Sequence, residues 1–335
     1  MGEVSGPPAV QRPAVYLRGL VKRYQEVEAV RGIDLDVAPG ETFGFLGPNG
    51  AGKSTTIKIL CTLVAATSGT ARVAGFDVAT ERDAVRQHIG LVFQEPTLDT
   101  YLTGEQNLRF HGELYGVDRS SAAARREEVL RMVGLWERRG DPVETYSGGM
   151  RRRLEIARGL LHSPRVLFLD EPTIGLDPQT RASIWDYLHE LHRGEQITVF
   201  VTTHYMDEAE NCDRIAIMNE GRIVALDTPG SLKAAVGHDR VQITTADDHA
   251  AIEALRDRFG LDAAVREGTV TMAVADGASF VPQLFAGLGT AIRSVTVTRP
   301  SLDDVFLAHT GSTIRDAEQP RGMANPVVAA MARGR

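Results

Sequence analysis

Cysteine is scarce in this chain: Cys61 and Cys212 are the two that occur in 335 residues. They lie far apart in the sequence, which excludes a paired-cysteine metal motif and a disulfide framework of the secreted kind. We therefore expect two reduced thiols in a cytosolic protein, both buried as small apolar side chains.

Long apolar runs and an excess of basic residues are also missing. No stretch approaches the roughly 18 consecutive apolar residues that cross a bilayer, so we expect this chain to span no membrane. Residues 1–13 contain three prolines and no apolar core, which excludes a secretory signal. The formal net charge of -7 disfavours broad electrostatic binding to nucleic acid, and no nucleic-acid partner is expected.

The composition that is present is globular. Hydrophobic residues make up 43% of the chain and charged residues 24%, which excludes a wholly disordered protein. Residues 14–236 alternate apolar strands with helices, the pattern of an α/β core with a buried parallel sheet. A mostly helical insertion interrupts this pattern at about 96–164, where Thr103 and Gln106 predict a capping box that begins a helix.

Beyond this core the predicted order of strands and helices changes. Residues 237–310 follow a β-α-β-α-β pattern, which predicts a small α+β accessory domain. Ser301 is expected to cap a last short helix. The two ends, 1–13 and 311–335, have no periodicity and are predicted to be a flexible leader and a flexible tail.

Residues 47–54 match the phosphate-binding pattern G-x-x-x-x-G-K-[ST] in full. The string follows an apolar stretch and opens a helix, so backbone N–H groups and the helix N-terminus can face a phosphate. Lys53 would supply charge for the β- and γ-phosphates, and Ser54 a hydroxyl for Mg²⁺. The predicted cradle consists of Gly47, Pro48, Asn49, Gly50, Ala51, Gly52, Lys53 and Ser54.

Two carboxylates follow the apolar strand predicted at 166–169. Asp170 lies at the carboxyl end of a strand, where an open α/β sheet places its ligands, and we assign it to Mg²⁺. Glu171 leaves the strand in a different direction, so it can face water while Asp170 faces the metal. We assign Glu171 as the general base that polarises the attacking water.

A second Ser/Gly-lined helix N-terminus precedes these carboxylates. It consists of Ser147, Gly148 and Gly149, and such a terminus attracts an anion. Because the first cradle already surrounds the phosphates of this chain's own nucleotide, a second anion site indicates two chains that share two nucleotides. The arginines that follow, Arg151–Arg153, are expected on a solvated helix face.

These strings resemble, in order and spacing, the motifs of an ABC-transporter ATPase over about residues 14–236. They are similar to that family's Walker A motif, Q-loop, signature, Walker B motif, D-loop and H-loop, which here are Gly47–Ser54, Gln94, Tyr146–Met150, Leu167–Glu171, Gly175–Asp177 and His204. The resemblance implies an α/β fold, a P-loop NTPase core with a helical insertion, plus a small α+β C-terminal domain.

The resemblance also implies roles for single residues. Tyr24 would stack on adenine, and Thr55 would join the ATP-binding residues. His204 would contact the γ-phosphate beside the catalytic Lys53 and Glu171. The implied magnesium ligands are Ser54, Gln94 and Asp170. The donors implied from a second protomer are Ser147, Gly148, Gly149 and Asp177.

The narrower resemblance is to ATPases of the daunorubicin-resistance type, in which ATPase and membrane subunits are separate chains. It is carried by Leu102–Leu108, by Pro300–Leu307 and by a signature that ends in Met150, where many relatives have glutamine. It implies a homodimer at the cytoplasmic face of the cell membrane that hydrolyses ATP with Mg²⁺. That dimer would power efflux of a drug-like or hydrophobic compound through a separate multi-span permease. The alternatives are a soluble ABC ATPase acting on ribosomes or DNA, and an exporter of a lipid, glycan or ion.

Overall fold

The computed structural model describes residues 12–195, 197–266 and 268–311. Most of the expected leader and nearly all of the expected tail lie outside these ranges. The described residues form two compact units that meet in sequence at Thr228 and Pro229. The sequence placed this boundary after Val236. The residues between belong to the second unit because their helix packs against the last helix of that unit.

The first unit contains two sheets. Its strands are β1 (Val15–Tyr24), β2 (Val27–Val37), β3 (Thr42–Leu46), β4 (Ser68–Val73), β5 (Phe76–Asp77), β6 (Ile89–Val92), β7 (Val166–Asp170), β8 (Thr198–Thr203), β9 (Arg214–Asn219) and β10 (Arg222–Asp227). The six-stranded sheet has the order β10-β9-β3-β8-β7-β6, with every pair parallel except β9 and β10. An antiparallel sheet of order β2-β1-β4-β5 packs into the same hydrophobic core.

The six-stranded sheet is parallel because its central strands are apolar along their whole length and covered on both faces. All residues of β3, β7 and β8 are buried, and the rings of Phe43, Phe45 and Phe168 pack around Phe200. The carboxyl ends of these three strands meet at one edge of the sheet, the place where such sheets bind ligands.

Seven α-helices of the first unit are described. They are α1 (Lys53–Leu60), α2 (Arg82–His88), α3 (Gly104–Leu114), α4 (Ala122–Met132), α5 (Gly148–Leu160), α6 (Pro178–Glu195) and α7 (Met206–Ala209). The predicted capping box at α3 is confirmed, since the side chains of Thr103 and Gln106 each accept the other residue's backbone N–H. Both cysteines are buried, as expected.

The second unit is an antiparallel sheet with helices. Its elements are α8 (Pro229–Val236), β11 (Asp239–Thr245), α9 (Asp248–Phe259), β12 (Ala263–Arg266), β13 (Thr269–Val274), α10 (Gly277–Gly287), β14 (Ile292–Thr298) and α11 (Leu302–Thr310). The sheet order is β12-β13-β11-β14, and α9 and α10 share one core with it. Ser301 caps α11 in a capping box, which confirms the predicted cap.

The predicted β-α-β-α-β order of this unit was wrong by one strand. The four-residue β12 completes a β-α-β-β-α-β arrangement of the ferredoxin-like kind. Its sequence, Ala-Ala-Val-Arg, holds a single β-branched residue, so it carries almost no strand signal of its own. Within the described ranges, no helix has both the length and the apolar character needed to cross a membrane.

Candidate functional site

The loop between β3 and α1 lies at the carboxyl edge of the six-stranded sheet and packs closely against neighbouring backbone. Gly52 caps α1 in the left-handed region at φ 108°, where a side chain would be strained. A Cβ on Gly47 would lie 2.2 Å from the carbonyl oxygen of Met218, so no larger residue fits there. The N-terminus of α1 therefore faces the interior of the loop, as an anion site requires.

Lys53 begins α1 and reaches back across this loop. Its Nζ donates to the carbonyl oxygens of Gly47 at 2.5 Å and Pro48 at 3.1 Å. The same ammonium lies 3.7 Å from Glu171 Oε1, and the lysine is only 4% exposed. The loop thus holds a buried positive charge between its own carbonyls and the carboxylate that follows β7.

Asp170 and Glu171 lie at the end of β7 and face different partners. Asp170 Oδ1 accepts hydrogen bonds from Ser54 Oγ at 3.0 Å and from Thr202 Oγ1 at 2.6 Å. The hydroxyl and carboxylate that meet here are hard oxygen donors, the type that Mg²⁺ takes. Glu171 instead approaches Lys53 and His204, whose Nδ1 lies 3.5 Å from Glu171 Oε1.

The environment of Glu171 favours its ionised form. Burial alone would raise the pKa of this carboxyl, but the contacts from His204 and the Lys53 ammonium outweigh burial and hold the pKa below its ordinary value. At neutral pH the side chain is therefore a carboxylate, the form in which it can accept a proton.

The backbone of Glu171 is strained. Its φ of 47° lies in the left-handed region, which costs a residue other than glycine about 1–3 kcal/mol and persists where surrounding contacts hold it. The Glu171 amide donates to the carbonyl oxygen of Thr202 at 3.2 Å and to its hydroxyl at 3.1 Å. Thr202, fully buried in β8, therefore holds the carboxylate of Asp170 and the backbone amide of Glu171.

Tyr24 and Gln94 lie outside this cluster of contacts. The Lys22 ammonium is 4.7 Å from the centroid of the half-buried Tyr24 ring. Burial raises the pKa of the Tyr24 hydroxyl, and Thr55 opposes part of that rise. Gln94 follows the end of β6 and is exposed; it lines a cleft of about 460 Å³ together with Gly148.

The Ser/Gly string faces outward. Ser147 caps α5, its Oγ accepting the backbone N–H of Met150 at 3.2 Å, and both Ser147 and Gly148 are exposed. Gly149 is buried, and a Cβ at this position would lie 2.3 Å from Thr180 Cγ2, so a larger residue does not fit. Asp177 is exposed too and accepts the amide of Thr180 at 3.0 Å, in the first turn of α6. Ser147, Gly148 and Asp177 therefore lie on the surface, whereas Lys53 and Glu171 are buried.

The expected solvated face at Arg151–Arg153 is wrong for Arg152, which is 8% exposed. Arg153 is half-buried and donates to the carbonyl oxygen of Val133 at 3.1 Å and to the Tyr187 hydroxyl at 2.9 Å. Three consecutive arginines look alike in the sequence, and only the rotation of α5 decides which of them points inward.

Sequence reasoning also missed supporting residues around the site. Besides Thr202, they include Glu208 in α7, which is 1% exposed and accepts the Thr173 hydroxyl. Burial raises the pKa of the Glu208 carboxyl, although Arg181 Nε lies 3.8 Å away. The one available signal was a pair of threonines, Thr202 and Thr203, directly after the apolar run Val199–Val201 in β8.

Three features occur together around one mostly parallel sheet: a phosphate-binding loop, a strand that ends in two carboxylates, and an exposed Ser/Gly helix N-terminus. Together they define an ATP-binding cassette. The family model described as "ABC transporter" matches residues 30–174. A second model, "ATP-binding protein DrrA1-3-like, C-terminal domain", matches residues 228–310. The chain belongs to the ABC transporter family, among its ATP-hydrolysing ATP-binding subunits.

Individual relatives agree with this family. The daunorubicin/doxorubicin resistance ATP-binding protein DrrA of Streptomyces peucetius is 41% identical over 90% of this chain and 94% of its own length. The linearmycin resistance ATP-binding protein LnrL of Bacillus subtilis is 38% identical over 88% of this chain and 97% of its own.

Solved structures resemble the first unit. CbiO1 of Clostridium perfringens, part of the ABC transporter complex cbiONQ, has a TM-score of 0.62 at 28% identity, over 66% of this chain and 90% of its own. A dimeric post-hydrolysis cassette bound to ADP and Pi has a TM-score of 0.57 at 27% identity, over 64% of this chain and 98% of its own.

Proposed function

We propose that this chain uses ATP hydrolysis to power the efflux of a drug-like or hydrophobic compound through a separate multi-span membrane subunit. Relatives that share nine-tenths of its length carry drug-resistance names, which supports this choice of cargo. The observation on which the hydrolytic role rests is the contact between the Lys53 ammonium and the Glu171 carboxylate, with His204 on the other side.

The residues of the loop and of β7 divide the chemistry between them. Backbone N–H groups within residues 47–55, apart from Pro48, which has none, hold the phosphates. The Lys53 ammonium exchanges its carbonyl partners for β- and γ-phosphate oxygens. Glu171, ionised at neutral pH, accepts a proton from the attacking water, while His204 contacts the γ-phosphate and holds that water in line. Tyr24 offers its ring to the adenine.

Magnesium fits the oxygen donors at the end of β7. The Ser54 hydroxyl and the Asp170 carboxylate lie 3.0 Å apart, and the Gln94 amide oxygen is the third donor of the proposed set. When bound, the ion supplies neutralisation of charge on the phosphate oxygens. The support for this site is the hardness of its donors and its place beside the phosphate loop.

We further propose a homodimer that closes head to tail on two ATP molecules. Ser147 and Gly148 are exposed at the N-terminus of α5, Gly149 follows them there, and Asp177 is exposed before α6, so a second chain can approach this surface. Each chain would thus complete the other's site, and transition-state charge is stabilised only in the closed dimer. A related cassette is dimeric with ADP and Pi bound, which supports this arrangement. The dimer would lie at the cytoplasmic face of the cell membrane.

The decisive experiment is a pull-down from detergent-solubilised membranes of the native host. Tagged Glu171→Gln protein with ATP should copurify one multi-span membrane protein, because the closed dimer is held with its nucleotide. The Lys53→Ala variant, which weakens nucleotide binding, serves as the matched control and should recover less of it. Recovery of Glu171→Gln from the soluble fraction alone, with ribosomes or nothing attached, would overturn the transport proposal and favour a soluble ABC ATPase.

A further inference from the structure

Arg152 is buried in the second turn of α5 and satisfies its guanidinium entirely within the chain. Each of its three nitrogens donates to oxygen atoms from segments remote in sequence. The acceptors are the carbonyl of Phe93, Glu155 Oε2 at 3.0 Å, and the carbonyls of Asp170 at 3.2 Å, Glu171 at 3.3 Å and Pro172 at 2.6 Å. A planar guanidinium carries five N–H donors in a fixed fork, and this site has an acceptor for each.

Glu155 lies one helical turn further along α5 and adds hydrogen bonds to the segment that contains Thr97. It is 2% exposed, and its Oε1 accepts the backbone amide of Thr97 at 2.6 Å and the Thr97 hydroxyl at 3.2 Å. Arg152 therefore holds the chain just before Gln94, at Phe93, and Glu155 holds it just after. One buried ion pair thus bonds the residue before the exposed Gln94 and the residue three positions after it.

The same arginine braces the strained turn at Glu171. The amide of this residue is held by Thr202 from β8, and its carbonyl is held by Arg152 from α5. The carbonyls on either side, of Asp170 and Pro172, are bonded to Arg152 as well. A residue in the left-handed region stays there only while such contacts hold it, so the direction of the Glu171 side chain depends on Arg152.

We propose that Arg152, paired with Glu155, is a positioning residue for ATP hydrolysis, which fixes the Gln94 segment and the Glu171 side chain relative to α5. The proposal rests on the functions proposed above for Gln94 and Glu171. Because Ser147 begins the same helix, the pair joins the outward Ser/Gly surface to the general base through one rigid element. Contact of Ser147 with a second chain's nucleotide is thereby linked mechanically to the placement of the base.

The test compares Arg152→Lys with Arg153→Lys in the full-length protein. Both variants keep the charge and remove a guanidinium from α5, but the bonds of Arg153 go to Val133 and Tyr187, away from the carboxylates. Arg152→Lys should lower kcat by about 10²-fold, the cost of a misplacement near 1 Å at a reacting group. Its affinity for ATP, measured by titration with a fluorescent nucleotide, should stay within about twofold of wild type, so the loss falls on kcat and not on binding.

Thermal unfolding of each variant separates positioning from folding. The assay is run well below both unfolding midpoints, where a merely structural arginine leaves kcat unchanged. Equal kcat values for the Arg152→Lys and Arg153→Lys variants would overturn the proposal. A fall in ATP affinity that matches the fall in kcat would overturn it too, because that pattern reports general damage.

A second variant keeps the proposal testable should Arg152→Lys fold poorly. Glu155→Gln retains an oxygen for Thr97 and nearly the same volume, but removes the charge that faces Arg152. We expect a lower kcat with unchanged ATP affinity, and a wild-type kcat would contradict the role of the pair. Glu171→Gln is measured in parallel. A wild-type rate of ATP hydrolysis in this variant would overturn the assignment of Glu171 as the base. The comparison of Arg152→Lys with Arg153→Lys tests the role of Arg152 separately.

Discussion

The two units of this chain bury different kinds of side chain. In the first unit the buried set includes Lys53, Arg152, Asp170 and Glu171, all within hydrogen-bond or ion-pair distance of one another or of backbone carbonyls. Among the described residues of the second unit, Thr245 is the one buried polar residue, and the core of this unit is apolar. Buried charge costs free energy unless it is paired, so a fold tolerates it where chemistry requires it. The contrast agrees with the reaction proposed for the first unit, and it shows that apolar packing holds the core of the second.

The largest effect expected from this contrast is the loss of hydrolysis in Glu171→Gln. The amide cannot accept a proton, so the rate should fall about 10²–10⁴-fold while ATP binding is retained. Phosphate release under saturating ATP measures the rate, and size-exclusion chromatography with ATP should detect a trapped dimer. A wild-type rate would remove Glu171 from the base role.

Ser147→Ala tests whether the outward surface takes part in the reaction. Loss of one donor to the transition state should lower kcat by about 10²–10³-fold. The serine also caps α5, so stability should fall by about 0.5–2 kcal/mol. Thr103→Ala, which removes the cap of α3 in the same unit, is the control: it should lose similar stability but keep its kcat. Equal kcat values in the two variants would exclude Ser147 from the site.

Leu255→Ala tests the second unit by creating a cavity in its core. The side chain is fully buried, so we expect a loss of about 2–5 kcal/mol in the free energy of unfolding of this unit. Affinity for ATP should not change, because every residue proposed to contact nucleotide lies in the first unit. Urea unfolding followed by hydrogen exchange locates the loss. Phe285→Ala, at a side chain 59% exposed, should change stability by less than about 0.5 kcal/mol.

The smallest effect is expected at the cap of α11. Ser301→Ala removes an oxygen that accepts the Asp304 amide at 3.2 Å, and should destabilise the second unit by about 1 kcal/mol. Ser301→Thr keeps that oxygen and should remain close to wild type in the same thermal melt. If Ser301→Ala lowered the rate of ATP hydrolysis without lowering stability, the second unit would take part in the reaction, contrary to this comparison.

Features that depend on neighbouring residues were predictable from the sequence. The phosphate loop, the caps at Thr103 and Ser301, and the buried strand that ends at Asp170 all form where expected. Each is decided within a few residues, by a glycine that permits a turn or a side chain that reaches its own helix end. The short β12 was missed because its identity comes from pairing with β13 rather than from its own residues.

The sequence by itself determined the family and the residues proposed for the chemistry, since the motifs are recognised by residue type and spacing. Only the tertiary structure decided how those groups are held. It turned Arg152 inward while Arg153 bonds elsewhere, gave Glu171 a strained φ of 47°, and placed Thr202 against the Asp170 carboxylate and the Glu171 amide. These contacts join α5, β6, β7 and β8, which are far apart in the chain. Their geometry exists only once the sheet and the helical insertion have packed together.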